Sequence, residues 1–214
     1  VELGPLPGGF HGLSREQIAD SQRERLMAAM AESVAARGYR ATTITELTKS
    51  ASVSSRDFYG LFESKEDCFL ATFDAVVGHL EVVIREAVAA EDEWAQQVIA
   101  GLRAALGFFA AEPDLARLCL VESASATPAI AARFREAVLS SAPGLARGRE
   151  ELEDPDALPP ETEGTIAGGA VSLATRTLLT GGAEDLPSLL PDLTEFVLGS
   201  YLGYERAAAH AANL

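Results

Sequence analysis

Three short runs of residues combine hydroxyl, phenol and cationic groups at helical spacing: Thr43-Ile44-Thr45-Glu46, Ser54-Ser55-Arg56-Asp57-Phe58-Tyr59 and Ser64-Lys65-Glu66-Asp67. Such groups bind a nucleic-acid backbone well. Hydroxyls and phenols hydrogen-bond phosphate oxygens, and a guanidinium can read guanine through two parallel bonds. Thr43, Ser54, Ser55, Arg56, Tyr59 and Lys65 are therefore candidate DNA-binding residues, with Arg40 just upstream near the phosphates. Capping and packing alone would also account for the serines and for Tyr59. Each run also carries a helix-start signal, a Ser or Thr followed three residues later by an acid.

Those signals define the elements that must hold the candidates. The spacing predicts a helix over Ile44–Ser50, a turn at Ala51-Ser52-Val53 and a second helix over Ser55–Leu61, a helix-turn-helix unit. Ile44 and Leu47 share one face, as do Phe58, Leu61 and Phe62. Upstream, Ser14-x-x-Gln17 opens a helix to about Arg37 with a stripe of Ile18, Leu26, Met30 and Val34, ended by Gly38. Downstream, Ser64 opens a long helix to about Ala90. Further helices are expected from Trp94 to about Phe109, from Pro113, from Pro128 to near Pro143, over about 161–180 and over about 187–209. Residues 148–163, acidic and proline-rich, read as a solvated loop. No stretch alternates with period two, so the chain reads as all-α, with about nine helices.

Three units follow: residues 1–13 as a flexible Pro/Gly-rich tail, 14–63 as a helix-turn-helix head, and 64–214 as a larger ligand-binding and dimerisation domain. The last two helices carry apolar and small residues on more of their surface than one buried face needs. They pair with a second copy, or are central in a monomer.

The net charge of −15 by itself opposes nucleic acid, but it is unevenly placed. Residues 1–67 hold 8 basic and 10 acidic side chains, and residues 37–65 hold 5 basic against 3 acidic. Acid on a distant body is screened over about 8 Å at physiological salt. No run of about 18 apolar residues exists to span a membrane. The start at Val1 reads as trimmed, and nothing in residues 1–13 reads as a signal peptide. Cys68 and Cys119 fit buried free thiols in a reducing cytoplasm. His11, His79 and His210 form no i, i+4 metal pair, and no catalytic constellation, metal site or cofactor motif is present. His79, Trp94, Phe108, Phe109, Cys119 and Phe134 are candidates to line a ligand pocket, although core packing explains each equally well.

The head resembles the TetR/AcrR family of transcription regulators. The matching residues are Gly38-Tyr39, Thr42-Thr43-Ile44 with Leu47, Val53-Ser54, Phe58-Tyr59, Phe62 and Lys65-Glu66, and the likeness covers about residues 14–75. It implies phosphate contacts from Thr43, Tyr59 and Lys65, and a recognition helix carrying Ser54, Ser55 and Arg56. It also implies a homodimer through the last two helices (about 161–180 and 187–209) and a small-molecule inducer that releases a cytoplasmic repressor from a near-palindromic double-stranded operator. Two positions depart from the pattern, which often has Gly and Thr where this chain has Arg56 and Asp57. Asp57 is expected to turn its carboxylate onto the cap at Ser54 and away from DNA. A same-fold protein whose head binds another protein, and an all-α enzyme, are the alternatives.

Overall fold

The computed structural model describes residues 14–214, and the expected tail at 1–13 lies outside them. Among the described residues there are helices but no strands. In chain order they are α1 (Arg15–Arg37), α2 (Ile44–Ser50), α3 (Ser55–Leu61), α4 (Lys65–Ala89), α5 (Trp94–Ala111), α6 (Pro113–Ala116), α7 (Pro128–Leu139), α8 (Ala142–Ala146), α9 (Thr162–Thr180), α10 (Leu190–Leu202) and α11 (Tyr204–Ala211). The bounds of α2 and α3 are those the capping signals predict.

The caps explain why. Ser14, Thr43, Ser54 and Ser64 each accept the backbone N–H three residues on, satisfying a donor that the first helical turn leaves without a partner. Ser14–Gln17 and Thr43–Glu46 complete reciprocal capping boxes. At the other ends, two arginines of α1 bind carbonyls. Arg25 Nη1 donates to Ala51 O at 2.7 Å, closing α2, and Arg23 Nη1 donates to Leu61 O at 3.2 Å, closing α3. Cations favour the negative ends of helices, so these bonds fix both short helices to α1. Ser52, in the turn between them, has φ +51°, a left-handed conformation strained for a residue with a side chain.

One core runs through head and body. Leu26, Met30, Leu47, Phe58 and Phe62 pack in continuity with Phe69, Phe73, Leu118, Ile130 and Leu193. A second cluster, built on Trp94, Ile99, Ile166, Val197 and Tyr201, fills the far end. Ile18 departs from the expected α1 stripe. It is 42% exposed and lies in the first turns of α1, which precede the buried run beginning at Leu26.

The later helices are more broken than periodicity suggests. The helix from Pro113 is α-helical only to Ala116 and continues as a π turn over Arg117–Glu122. The last expected helix divides at Gly203, whose φ of +77° bends the chain between α10 and α11. Residues 148–163, expected as a solvated loop, fold around one side chain. Arg149 donates to both carboxylate oxygens of Glu163 (2.7 and 3.1 Å) and to the carbonyls of Pro155, Leu158 and Pro159. Tyr201 adds a bond to Glu163 at 3.3 Å. A lone buried carboxylate would be costly, and here the guanidinium and phenol offset it.

Candidate nucleic-acid interface and ligand cavity

The outward face of the helix-turn-helix unit consists of the candidate residues. Arg40, Thr43, Ser54, Ser55, Arg56 and Tyr59 are all exposed, Tyr59 by 61%. Tyr59 stands edge-on against buried Phe58, with ring centroids 5.4 Å apart, which fixes the ring while its hydroxyl faces outward. Thr43 is committed to the α2 cap, where its hydroxyl bonds Glu46. A hydroxyl keeps spare acceptor capacity, but its proton is in use.

Three acidic groups at the starts of α2, α3 and α4 are tied into structural bonds. Asp57 Oδ2 accepts from Ser54 Oγ at 2.7 Å while Asp57 N donates back to the same oxygen at 3.0 Å, the arrangement the sequence suggested. Glu46 pairs with Arg37 and accepts from Thr43, and Thr43's bonds are the main reason its carboxyl lies below the usual range. Asp67 accepts from Glu63 N. Cations are treated differently. Arg40, Lys49 and Arg56 are exposed, and among the described residues none has an ion-pair or hydrogen-bond partner. Lys49 is the residue that sequence reasoning passed over. Its position in the last turn of α2, next to the turn before the recognition helix, was the available signal.

Lys65 is placed otherwise than the sequence suggested. Its ammonium donates to Tyr39 O and Thr42 O, each at 2.8 Å, and lies 4.2 Å from the Tyr39 ring centroid. Two of its three N–H donors thus close the chain between α1 and α2, and partial burial lowers its pKa. Its geometry is that of a brace inside the head, leaving one donor for any phosphate. Tyr39 in turn stacks edge-on against Phe69, with centroids 5.3 Å apart.

The body holds a cavity of about 710 Å³ between α4, α5, α7, α9 and α10. Of the six pocket candidates, Trp94, Phe109, Cys119 and Phe134 line it. His79 and Phe108 do not: they pair with each other, centroids 5.6 Å apart, on a face of α4 and α5 turned away from the cavity, with His79 exposed. The walls are graded. Phe73, Phe109, Cys119, Leu120 and Phe134 give an apolar portion, whereas Glu81, Arg85, Gln97, Ser140, Ser141 and Arg147 supply polar groups. Phe73 and Arg85 are about 18 Å apart along α4 at 1.5 Å per residue. Arg147 Nη1 donates to Gln97 Oε1 at 2.7 Å, which fixes a guanidinium at the polar part. Burial pushes the Cys119 thiol up to about 12, so it lines the cavity as a neutral apolar group rather than a nucleophile. No group of His, Cys, Asp and Glu suited to a metal ion occurs among the described residues. No helix among them is long and apolar enough to cross a membrane.

The Gly168-Gly169 region of α9 and the helix α10 meet closely. The Phe196 ring lies over Gly169, where an added Cβ would come within 2.8 Å of it. Phe196 is nonetheless 46% exposed, and Leu179 further along α9 is 56% exposed.

The family model for bacterial regulatory proteins of the tetR family matches residues 26–72, from the middle of α1 into α4. Solved structures match over nearly the whole of their chains. The fatty acid degradation regulator FadR from Bacillus halodurans is 19% identical, with a TM-score of 0.73, covering 82% of this chain and 97% of that one. The transcriptional regulator FadR from Bacillus subtilis, solved in complex with stearoyl-CoA, is 17% identical, with a TM-score of 0.72 and coverage of 84% and 98%. TylP, a TetR regulator from Streptomyces fradiae, is 21% identical, with a TM-score of 0.64 and coverage of 91% and 97%. At these identities the likeness establishes the fold. No curated protein matches the chain.

Proposed function

We propose, from the premise that the chain belongs to the TetR family of bacterial regulatory proteins, that it is a homodimeric repressor released from a near-palindromic operator by an elongated, mainly apolar small molecule with a polar or anionic end. The observation that carries this reading is the pairing of two features in one chain. A head presents Arg40, Lys49, Arg56 and Tyr59 outward while Glu46 and Asp57 beside them are bound at helix caps. A body encloses about 710 Å³ of graded cavity.

Residues 14–63 serve as the DNA-binding head and the remainder as the ligand-binding and dimerisation part. Ser54, Ser55 and Arg56 enter the major groove, Tyr59 and the free cations hold phosphate, and Thr43 offers its remaining acceptor through water. Lys65 orders the backbone between α1 and α2 and gives at most one bond to phosphate. In the dimer, α9 and α10 pair across a two-fold axis with Leu179 and Phe196 at the contact. Half-sites then lie about 34–36 Å apart or at multiples of that distance. Such a regulator works where the chromosome is, in the cytoplasm.

The graded walls favour a ligand with its tail against Phe73, Phe109 and Phe134 and its polar end at Arg85, Gln97 and Arg147. The stearoyl-CoA bound by FadR from Bacillus subtilis has this kind of chemistry. An inducer preferring the DNA-incompetent state ~100-fold would supply about 2.7 kcal/mol of release. The test is selection of genomic fragments by the purified protein, followed by anisotropy titration of a selected operator with and without stearoyl-CoA and stearate. Specific fragments, released by one of these amphiphiles, are expected. Binding no better than to random DNA would overturn the reading.

A further inference from the structure

The chain between α1 and α2 is gripped from two sides. From the first turn of α4, Lys65 takes the carbonyls of Tyr39 and Thr42. From the body, Glu122 Oε2 accepts the backbone N–H of Tyr39 at 2.9 Å, a contact spanning 83 residues of sequence. Gly38 makes room for it. Its φ is +82°, and a Cβ there would lie 3.3 Å from Glu122 Oε2. Residue 39 therefore has its N–H held by the body and its C=O held by the first residue of α4.

Glu122 ends the π turn Arg117–Glu122, in which Cys119 and Leu120 form part of the cavity wall. The turn is held open from both directions. Leu118 O accepts from Ser123 N at 3.1 Å and from Ser123 Oγ at 2.8 Å. Thr175 of α9 shares its hydroxyl proton between Val171 O at 2.8 Å and Leu120 O at 3.1 Å. A π turn carries an extra residue relative to α-helix and is often found at functional sites. Rewinding it by one residue turns the side chains that follow by on the order of 100°. Glu122 could not keep Tyr39 N through such a change.

We propose that Glu122 is the positioning residue that couples the cavity to the head: a molecule pressing on Cys119 and Leu120 shifts the π turn, and Glu122 passes the shift to Tyr39 and, through Lys65 and Thr42, to the start of α2. A second contact follows the same route, with Thr127 donating to Glu66 of α4 just beyond the turn. The use of this coupling in gene control rests on the DNA-binding reading above; the coupling itself does not. It requires neither a known operator nor a known inducer.

The test is amide hydrogen exchange at Tyr39 on the full chain, read by NMR and normalised to the Leu193 amide of the body core. Glu122→Ala should speed Tyr39 exchange by about tenfold or more, since an anchoring charge-assisted bond is lost. Glu122→Gln keeps an acceptor oxygen and should stay within about threefold of wild type. Thr175→Val removes the hydroxyl bonded to Leu120 O on the far side of the turn. It should speed exchange at Tyr39 several-fold, and Glu122→Ala/Thr175→Val should be no faster than Glu122→Ala alone. Unchanged Tyr39 exchange in Thr175→Val, or two factors that simply multiply, would overturn the proposal. If Glu122→Ala unfolds, shown by collapse of Leu193 protection, the same cycle is run with Glu122→Met, which removes the acceptor and keeps the side-chain bulk, and is judged by the same criterion. Failure to find any operator would remove the proposed function and leave this result standing.

Discussion

Lys65 Nζ lies 2.8 Å from the carbonyl oxygen of Tyr39 and 4.2 Å from the centroid of the same residue's ring. One ammonium thus bonds the backbone of Tyr39 and covers its aromatic face, while a second carbonyl, that of Thr42, takes another of its donors. Bonds from a charged donor are each worth more than neutral ones, and a cation over a ring adds a further increment. Lys65→Met should therefore lower head stability by about 1–2 kcal/mol, discounted because the group is partly exposed. In urea titrations the midpoint falls, and the salt dependence of DNA binding changes little. A loss of DNA affinity with unchanged stability would return Lys65 to the role of phosphate contact.

Arg56 and Tyr59 sit on one short helix but should fail in different ways. Arg56→Ala removes a group able to read bases, so preference at particular operator positions should relax by about 1–3 kcal/mol. Tyr59→Phe removes only a hydroxyl facing the backbone and should weaken all operator variants alike. Anisotropy titrations across a set of single-base operator variants separate the two, and the reverse pattern would exchange their roles.

The head was readable from sequence because its helices are short and each start is marked by a side chain. Ser14, Thr43, Ser54 and Ser64 act within three residues of themselves, so spacing alone placed α2 and α3. The Asp57 cap was legible for the same reason. Lys65 was not, because its partners, Tyr39 O and Thr42 O, lie more than twenty residues away and are backbone atoms that leave no trace in side-chain pattern. The π turn and the Gly203 break were hidden similarly, since apolar period continues across both. His79 and Phe108 were misplaced because a helix with apolar residues on a broad face does not reveal which part of it meets a cavity. Arg149 could not be foreseen as the centre of residues 148–163, where carbonyls rather than acids supply most of its partners.

Arg149 and Glu163 should dominate stability at the end of the body remote from the head. Arg149→Ala leaves the Glu163 carboxylate without its cation and should lower the melting temperature at neutral pH. Glu163's carboxyl lies below its ordinary 4.5, chiefly because Arg149 hydrogen-bonds it. A depressed carboxylate contributes stability that is complete above the unfolded value and lost as pH falls through the folded one. Wild type should therefore lose stability below about pH 4.5 more steeply than Arg149→Ala, as checked by thermal melts across pH. Parallel pH profiles for the two proteins would contradict this.

Leu179 on α9 and Phe196 on α10 are large apolar side chains left exposed. If they are the centre of the dimer, Phe196→Asp together with Leu179→Asp should convert a species of twice 22.5 kDa into one of 22.5 kDa in light scattering, with the helical content kept. A wild-type monomer at micromolar concentration would remove the dimer from the account.

The most direct test of the central claim is the salt dependence of operator binding. Arg40, Lys49 and Arg56 are exposed cations of the helix-turn-helix face without a side-chain partner among the described residues, and one phosphate each in both subunits of a dimer gives about six released counterions. The slope of log K against log salt should be on the order of −5, with about 10³ lost between 50 and 200 mM, and it should fall by about 2 when Lys49 is replaced by alanine in both subunits. A flat salt response, or a slope indifferent to Lys49, would contradict the assignment of this face to DNA.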